Sequence, residues 1–187
     1  MSTREKLVDA AAKLLDAGGE QAVTLRGVGH AAGVSHNAPY KHFKNRDALL
    51  AAVATSDLDM LRTKFVEIRV SASSPGDTLL AAIGALIAFS RERPSRYRLV
   101  FGAPTLAREH PELQAQSTAC LSEIVLMVEE CKSANALPDA PTKSLASLLL
   151  AAMHGLVLLE AQGQLRPEKG LLTIEENMAL MVSLLAP

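Results

Sequence analysis

The chain of 187 residues contains no tryptophan, and only 3% of its residues are aromatic, although 49% are hydrophobic. β-Branched aliphatic residues are also scarce, because Val and Ile together contribute 17 residues whereas Ala and Leu contribute 30 each. Ala and Leu favour helices, while β-branched and aromatic residues fill strands. The shortage argues against a sandwich, a barrel or a large parallel sheet, and the sequence predicts an all-α fold.

Cysteines and long apolar runs are few as well. Cys120 and Cys131 lie eleven residues apart in one helical pattern, roughly 16 Å along a helix and too far for a disulfide between them. We interpret both as buried apolar residues in a reducing compartment. The polar N-terminus lacks a signal-peptide pattern, and the longest apolar stretch, Ser144 to Leu159, is short for a membrane span and is interpreted as a buried helix. These features predict a cytoplasmic protein with no membrane partner.

The start of the chain carries signals for two short helices. Ser2 and Glu5 have the spacing of a capping box, which predicts a first helix over about 4–17. Thr24 is placed to cap a second helix, and Gly33 is placed to end it in the left-handed conformation.

Further helices follow in the same way. Ser35 is predicted to cap a short third helix ending near His42, and Asn45 to cap a fourth that reaches about Val70. Later helical patterns lie at about 77–92, 94–102, 109–135, 142–163 and 173–185. The sequence therefore predicts about nine helices.

The segment 24–43 has the order helix, glycine turn, short helix. In a helix-turn-helix, the second helix of this pair enters the major groove while the first crosses the backbone. Gly33 is expected to reverse the chain, and the apolar Val34 can pack between the two helices. The segment thus predicts a helix-turn-helix.

The net charge of −1 argues by itself against a nucleic-acid partner, but the charges are unevenly distributed. Between Glu20 and Asp47 there is no acidic residue. The basic residues of this interval are Arg26, Lys41, Lys44 and Arg46. An acid-free segment suits phosphate, although helical hairpins of this composition also occur in proteins that bind no DNA.

Three stretches of this region carry a resemblance. They are Ala-Ala-Gly-Val-Ser at 31–35, Tyr-Lys-His-Phe at 40–43 and Asn-Arg-Asp-Ala-Leu-Leu at 45–50. In this order and register they resemble the DNA-binding domain of tetracycline-repressor-type (TetR) regulators, over about residues 4–52. The resemblance implies a homodimeric one-component regulator, usually a repressor, that a small ligand releases from a palindromic operator in double-stranded DNA. It divides the chain into a DNA-binding domain over 1–50 and a ligand-binding and dimerisation domain over 51–187.

The resemblance also implies which residues contact DNA. The set is Thr24, Arg26, Ser35, His36, Asn37, Tyr40, Lys41, His42 and Arg46. Of these, Ser35, His36, Asn37 and Lys41 are implied to lie in the recognition helix. Asn37 can pair with adenine, Lys41 can reach a guanine edge or a phosphate, and the Tyr40 hydroxyl is implied to meet a phosphate. His42 is either a phosphate contact or an interhelical hydrogen-bonding group, whereas Phe43 is expected in the core.

Three residues depart from the family pattern. Gly27 and Gly29 stand inside the second helix, where each glycine costs about 1 kcal/mol relative to alanine. They predict either a loose helix or close packing against a neighbour. Pro39 stands in the first turns of the recognition helix and removes one N–H donor.

The remainder of the chain shows no pattern for an enzyme. It has no metal-ligand spacing, no phosphate-binding glycine loop and no nucleophile elbow, so we predict no metal, no cofactor and no catalytic residue. Segments 94–102 and 152–160 together resemble a TetR subgroup with a Trp-His-Gly motif, with Met153 in place of the Trp. The effector-pocket candidates, each alternatively a core residue, are Phe89, Tyr97, Phe101, Met127, His154 and Leu158.

The last two helical patterns are apolar nearly all round, which predicts burial on two sides. One side is expected to face the bundle and the other a second subunit, so that two helices per chain form a four-helix dimer interface. The sequence thus predicts a regulator whose apolar ligand acts through this bundle. Two alternatives stay open: a helical ligand-binding or interaction protein with a degenerate helix-turn-helix, and a helical enzyme using His154.

Overall fold

The computed structural model of the chain describes residues 1–72 and 74–186. These residues form ten α-helices and two short 3-10 helices, without any strand, so the all-α prediction is confirmed. The α-helices are α1 (Thr3–Gly18), α2 (Leu25–Ala31), α3 (Ala38–His42), α4 (Arg46–Ser71), α5 (Pro75–Glu92), α6 (Pro94–Gly102), α7 (Pro104–Glu109), α8 (Pro111–Ser133), α9 (Thr142–Ala161) and α10 (Ile174–Leu185). The 3-10 helices are Glu20–Ala22 and Pro167–Lys169.

Most helix ends follow the predicted signals. The Ser2 hydroxyl accepts a hydrogen bond from the Glu5 N–H, and the Glu5 carboxylate accepts one from the Ser2 N–H, so the capping box begins α1 as predicted. The N–H of Ala48 donates to Oδ1 of Asn45 over 2.8 Å, which confirms Asn45 as the cap of α4.

The sequence prediction misses helix α7 and begins helix α8 too early. A single helix was predicted over 109–135, whereas α7 and α8 are separate and α8 begins at Pro111. Proline lacks an N–H and is favoured in the first turn, where that donor has no partner inside the helix. Pro104 and Pro111 therefore each begin a new helix.

The described chain divides into two compact units. The first contains Met1–Met60 and Glu92–Thr118, and the second contains Leu61–Arg91 and the chain from Ala119 onward. The core of the first unit includes fully buried leucines of α1 and α4 (Leu7, Leu15 and Leu49) together with Phe43. The position of Phe43, which is 4% exposed, confirms its predicted core role.

The second unit holds α5, the apolar part of α8 and the last two helices. Both cysteines are free and buried in this unit. Burial raises the pKa of the Cys120 thiol to about 12 and that of Cys131 to about 11, so both are protonated, apolar groups.

The interpretation of Ser144 to Leu159 as a buried helix is wrong for the single chain. Helix α9 is long and apolar enough to cross a membrane by length and composition, and 28% of its most apolar window is buried. Only one stripe faces the bundle, and it includes Leu145, Leu149 and Met153. The opposite face leaves Leu148 and Leu158 more than half exposed, because one bundle can cover only one side of a helix.

Candidate nucleic-acid interface

Helix α2 begins at the predicted cap. The side-chain oxygen of Thr24 accepts a hydrogen bond from the N–H of Gly27 over 3.1 Å. Gly27 fits this cap closely, since a Cβ added to it would lie 2.9 Å from the same Thr24 oxygen. Val28 is buried on the inner side, whereas Arg26 is exposed on the outer side.

The turn after α2 has the hydrogen bonds of a Schellman motif. The N–H of Val34 donates to the Gly29 carbonyl and the N–H of Gly33 donates to the His30 carbonyl, each over 3.1 Å. Gly33 has a φ of 64°, a conformation that costs glycine little and a side-chain-bearing residue more. The left-handed stop predicted at Gly33 is therefore confirmed.

The recognition helix α3 starts later than predicted. Asn37 occupies its N-cap position, and no side chain caps it, so the predicted cap at Ser35 is wrong. Instead, the backbone carbonyl of Ser35 accepts a hydrogen bond from the N–H of Ala38 over 2.9 Å. A helix that began after Ser35 would place Pro39 beyond the first three positions, where its missing N–H and its ring would disrupt the turn. The helix begins at Ala38 for that reason.

Four residues were predicted to lie in the recognition helix, and this late start corrects the positions of three of them. Ser35 and His36 lie in the turn before α3, Asn37 lies at its boundary, and Lys41 alone of the four lies inside the helix. All four are exposed, as are Tyr40 and His42 on α3 itself. The Tyr40 side chain is 58% exposed, an unusual position for an aromatic residue in a chain with so few of them.

The packing of α2 against α3 explains two departures from the family pattern. Gly29 is buried, and a Cβ added to it would lie 2.9 Å from Cγ and 3.3 Å from Cδ of Pro39. Pro39 is itself buried. The two helices therefore approach at a distance that only glycine allows, and Gly29 belongs to the close-packing alternative rather than to a loose helix.

Arg46 is engaged with the protein backbone. Its Nε donates to the Val23 carbonyl over 2.8 Å, and its Nη2 donates to the Glu20 carbonyl. The Glu20 carboxylate lies 3.6 Å from the same Nη2. Arg46 thus joins the start of α4 to the segment before α2, a role that the family resemblance did not suggest.

An ion cluster around the buried Asp57 in the same unit was also not predicted. Arg96 of α6 pairs with Asp16 of α1 through its Nη2 at 2.6 Å and with Asp57 of α4 through its Nη1 at 3.0 Å. Asp57 is only 4% exposed, and burial raises its pKa although the Arg96 charge opposes the shift. Asp57 is the single charged residue of the stretch 48–58, and this was the available signal in the sequence.

The effector-pocket candidates fall into both units. In the first unit, the rings of Tyr97 and Phe101 lie 5.0 Å apart. In the second, Phe89 and Met127 are buried, whereas Leu158 is 57% exposed. His154 is half-buried, and burial lowers its pKa, which favours a neutral imidazole at pH 7. Among the described residues, no group of three or more His, Cys, Asp or Glu side chains is placed to hold a metal ion.

Comparisons with known proteins match two parts of the chain to one family. Residues 7–53 match the family model described as bacterial regulatory proteins, tetR family, and residues 79–183 match the model described as tetracyclin repressor-like, C-terminal domain. No protein of curated function matches the chain.

Several solved structures share the fold. A protein with unknown function from Rhodococcus sp. RHA1 is 27% identical, with a TM-score of 0.84 over 100% of this chain and 97% of that one. The fatty acid degradation regulator FadR from Bacillus halodurans is 13% identical, with a TM-score of 0.76 over 100% and 95%. A TetR family transcription regulator from Marinobacter aquaeolei VT8 is 21% identical, with a TM-score of 0.70 over 96% and 94%.

Proposed function

The chain belongs to the tetracycline-repressor family of DNA-binding transcriptional regulators, and on that premise we propose that it is a homodimeric repressor released from a palindromic operator by a small apolar ligand. The observation that carries the proposal is the segment 35–42, in which every polar side chain is exposed and no residue is acidic. Residues 1–50 bind DNA, and residues 51–187 bind the ligand and dimerise. The protein acts in the cytoplasm, without a cofactor and without an enzymatic activity.

DNA contact is assigned to both sides of the turn. Ser35, His36 and Asn37 present their side chains before α3, where Asn37 can pair bidentately with adenine. Lys41 reaches a guanine edge or a phosphate from the helix, and Tyr40 donates its hydroxyl to a phosphate. Thr24, Arg26 and His42 add contacts to the sugar-phosphate backbone, which fix the register without reading sequence. The close packing at Gly29 supports a working motif over a degenerate one.

Arg46 contributes to DNA binding mainly through structure. Two of its donors are already used by backbone carbonyls of the segment before α2. Its charge nevertheless lies in the acid-free interval, where it adds to the potential that attracts phosphate.

Dimerisation is assigned to α9 and α10. A groove of about 550 Å³ between them is lined by apolar side chains, including Leu156, Met178 and Met181. Its rim exposes Leu159, Leu180 and Leu184, the last of which is 75% exposed. A second copy covering this face by two-fold symmetry would bury the apolar side of α9, which makes a membrane unnecessary as its partner.

Ligand binding is assigned to the second unit. Phe89 and Met127 are buried apolar groups, and the neutral His154 can orient a polar end of the ligand. His154 and Gly155 follow the buried Met153, so we also assign the chain to the Trp-His-Gly subgroup. The ligand must bind the DNA-incompetent state more tightly than the competent one, because equal affinity would shift nothing.

A gel-shift titration with the DNA that flanks the gene tests the proposal. We expect sequence-preferring retardation that weakens steeply with salt, as phosphate contacts require. Tyr40→Phe and Lys41→Ala should each weaken binding several-fold without changing dimerisation, while Lys64→Ala, on an exposed position of α4 outside both proposed interfaces, serves as the matched charge control. Unchanged affinity in both variants would refute the placement of the interface on α3.

A further inference from the structure

A cleft of about 690 Å³ opens in the first unit, separate from every residue assigned to DNA contact. Its walls come from α1, α4, the start of α6 and the first turns of α8. Val8 and Ala52 are half-buried and supply small apolar surfaces, while Ser56 and Gln116 supply neutral polar ones. Charged side chains of both signs form most of the remaining wall: Arg4, Glu5, Asp9, Lys13, Asp57, Asp59, Arg93, Arg96 and Glu112. Clefts of this size accommodate small organic ligands.

Two charged groups of this cleft are left incompletely paired. Asp57 accepts a hydrogen bond from Arg96 at Oδ1, but its Oδ2 is buried and has no hydrogen-bond partner among the described residues. Arg93 also lines the cleft, and its guanidinium forms no hydrogen bond or ion pair with the described part of the chain, although its backbone carbonyl accepts a hydrogen bond from Tyr97. Arg93 is nevertheless close enough for its positive charge to act on Asp57.

An unpaired carboxylate oxygen near an unpaired guanidinium is unusual, because the two groups could form an ion pair with each other. A buried carboxylate oxygen without a donor is costly, and native structures pair nearly all such atoms. Here the guanidinium of Arg93 lies beyond 4.0 Å from the carboxylate, since the two form no ion pair. A molecule that carries a positive and a negative group a few bonds apart would complete both.

We propose that this cleft binds a zwitterionic amino acid with a short apolar side chain, its carboxylate paired with Arg93 and its ammonium group donating to Asp57. The planar guanidinium suits a carboxylate, which it can hold through two parallel hydrogen bonds. The apolar side chain lies against Val8 and Ala52. This site is independent of the apolar effector assigned to the second unit, and a ligand in it contacts the unit that holds the helix-turn-helix.

Isothermal titration calorimetry of the full-length protein tests the proposal with L-leucine as the probe. L-Leucine should bind, whereas L-leucinamide, which lacks the carboxylate, and 4-methylpentanoate, which lacks the ammonium group, should each bind at least about tenfold more weakly. That factor is the usual size of one lost charge-assisted hydrogen bond. Absence of a leucine signal, or equal affinity for the three compounds, would overturn the proposal.

Variants locate the site. Arg93→Gln should weaken leucine binding about tenfold or more, and Asp57→Asn should do the same because it replaces the free oxygen by an amide. Arg98→Gln, an exposed change on α6 outside the cleft, is the control and should bind like the wild type. Circular dichroism establishes folding first, and if Asp57→Asn does not fold, Arg93→Gln decides. Wild-type affinity in Arg93→Gln would place leucine elsewhere and refute the assignment.

Discussion

Replacing Gly29 by alanine tests the close packing of α2 against α3. In an open helical position this change stabilises a protein by about 1 kcal/mol, because alanine has the higher helix propensity. At Gly29 the added Cβ would lie 2.9 Å from Cγ of Pro39, at least 0.5 Å nearer than the 3.4 Å where ordinary contact begins. The Pro39 ring is fixed to the backbone of α3, so relief requires movement of the recognition helix itself.

The expected change in the free energy of unfolding of Gly29→Ala follows from these opposing effects. Overpacking a tight contact costs about 1–3 kcal/mol, which exceeds or cancels the propensity gain of about 1 kcal/mol. We therefore expect Gly29→Ala to lower the free energy of unfolding by up to about 2 kcal/mol and to weaken DNA binding more than stability alone explains. Gly84→Ala is the matched control, because a Cβ at this position in α5 meets nothing within 4 Å.

A double-mutant cycle separates the contact from other effects. Pro39→Ala removes Cγ and Cδ from the face of α3 that meets Gly29, so Gly29→Ala should be tolerated better in the Pro39→Ala background. Urea unfolding followed by circular dichroism measures the four free energies, and we expect a coupling of about 1 kcal/mol or more between the two sites. Additive effects within about 0.5 kcal/mol, or a Gly29→Ala protein as stabilised as Gly84→Ala, would refute the packing argument.

Three further predictions address other parts of the molecule. Arg46→Lys should lower the free energy of unfolding by about 1 kcal/mol, because lysine keeps the charge but cannot reach both backbone carbonyls. A variant that unfolds in urea like the wild type would refute this structural role and leave Arg46 only a role in phosphate contact. Because the pKa of His154 is lowered in the folded chain, the unfolded chain binds a proton there more readily. The contribution of neutral His154 to the free energy of unfolding is therefore present above the usual histidine pKa of about 6.5 and is lost as the pH falls below that value. Unfolding of the wild type and His154→Gln at several pH values should show a difference that changes in this range, and a constant difference would contradict the shift. Leu184→Glu should produce monomers in sedimentation velocity while Val70→Glu, which alters a side chain 82% exposed on α4, should not; a dimeric Leu184→Glu protein would count against the α9–α10 interface.

The helix boundaries that the sequence predicted well depend on local chemistry. The capping box at Ser2, the cap at Asn45 and the glycine stop at Gly33 each involve groups within a few residues, and the structure confirms all three. The predicted cap at Ser35 failed although it used the same logic, because a competing local signal, Pro39, sets the start of α3.

The features that were missed depend on contacts between distant parts of the chain. The fit of Gly29 against Pro39 needs the angle between two helices, and the burial of Asp57 needs α1 and α6 beside α4. The sequence marked Gly29 and Pro39 as unusual without indicating that they meet each other, and Asp57 was not singled out from the sequence. The composition of α9 predicted apolar residues nearly all round the helix, but only the structure separates the stripe that faces the bundle from the stripe that is exposed in the single chain.

The central claim, that a two-fold dimer holds DNA through the segment 35–42, is tested most directly by hydroxyl-radical footprinting of the full-length protein on the DNA that flanks its gene. We expect two protected half-sites related by two-fold symmetry, with protection reduced equally at both in Lys41→Ala. A single unsymmetrical protected stretch, or protection that Lys41→Ala leaves unchanged, would contradict the account.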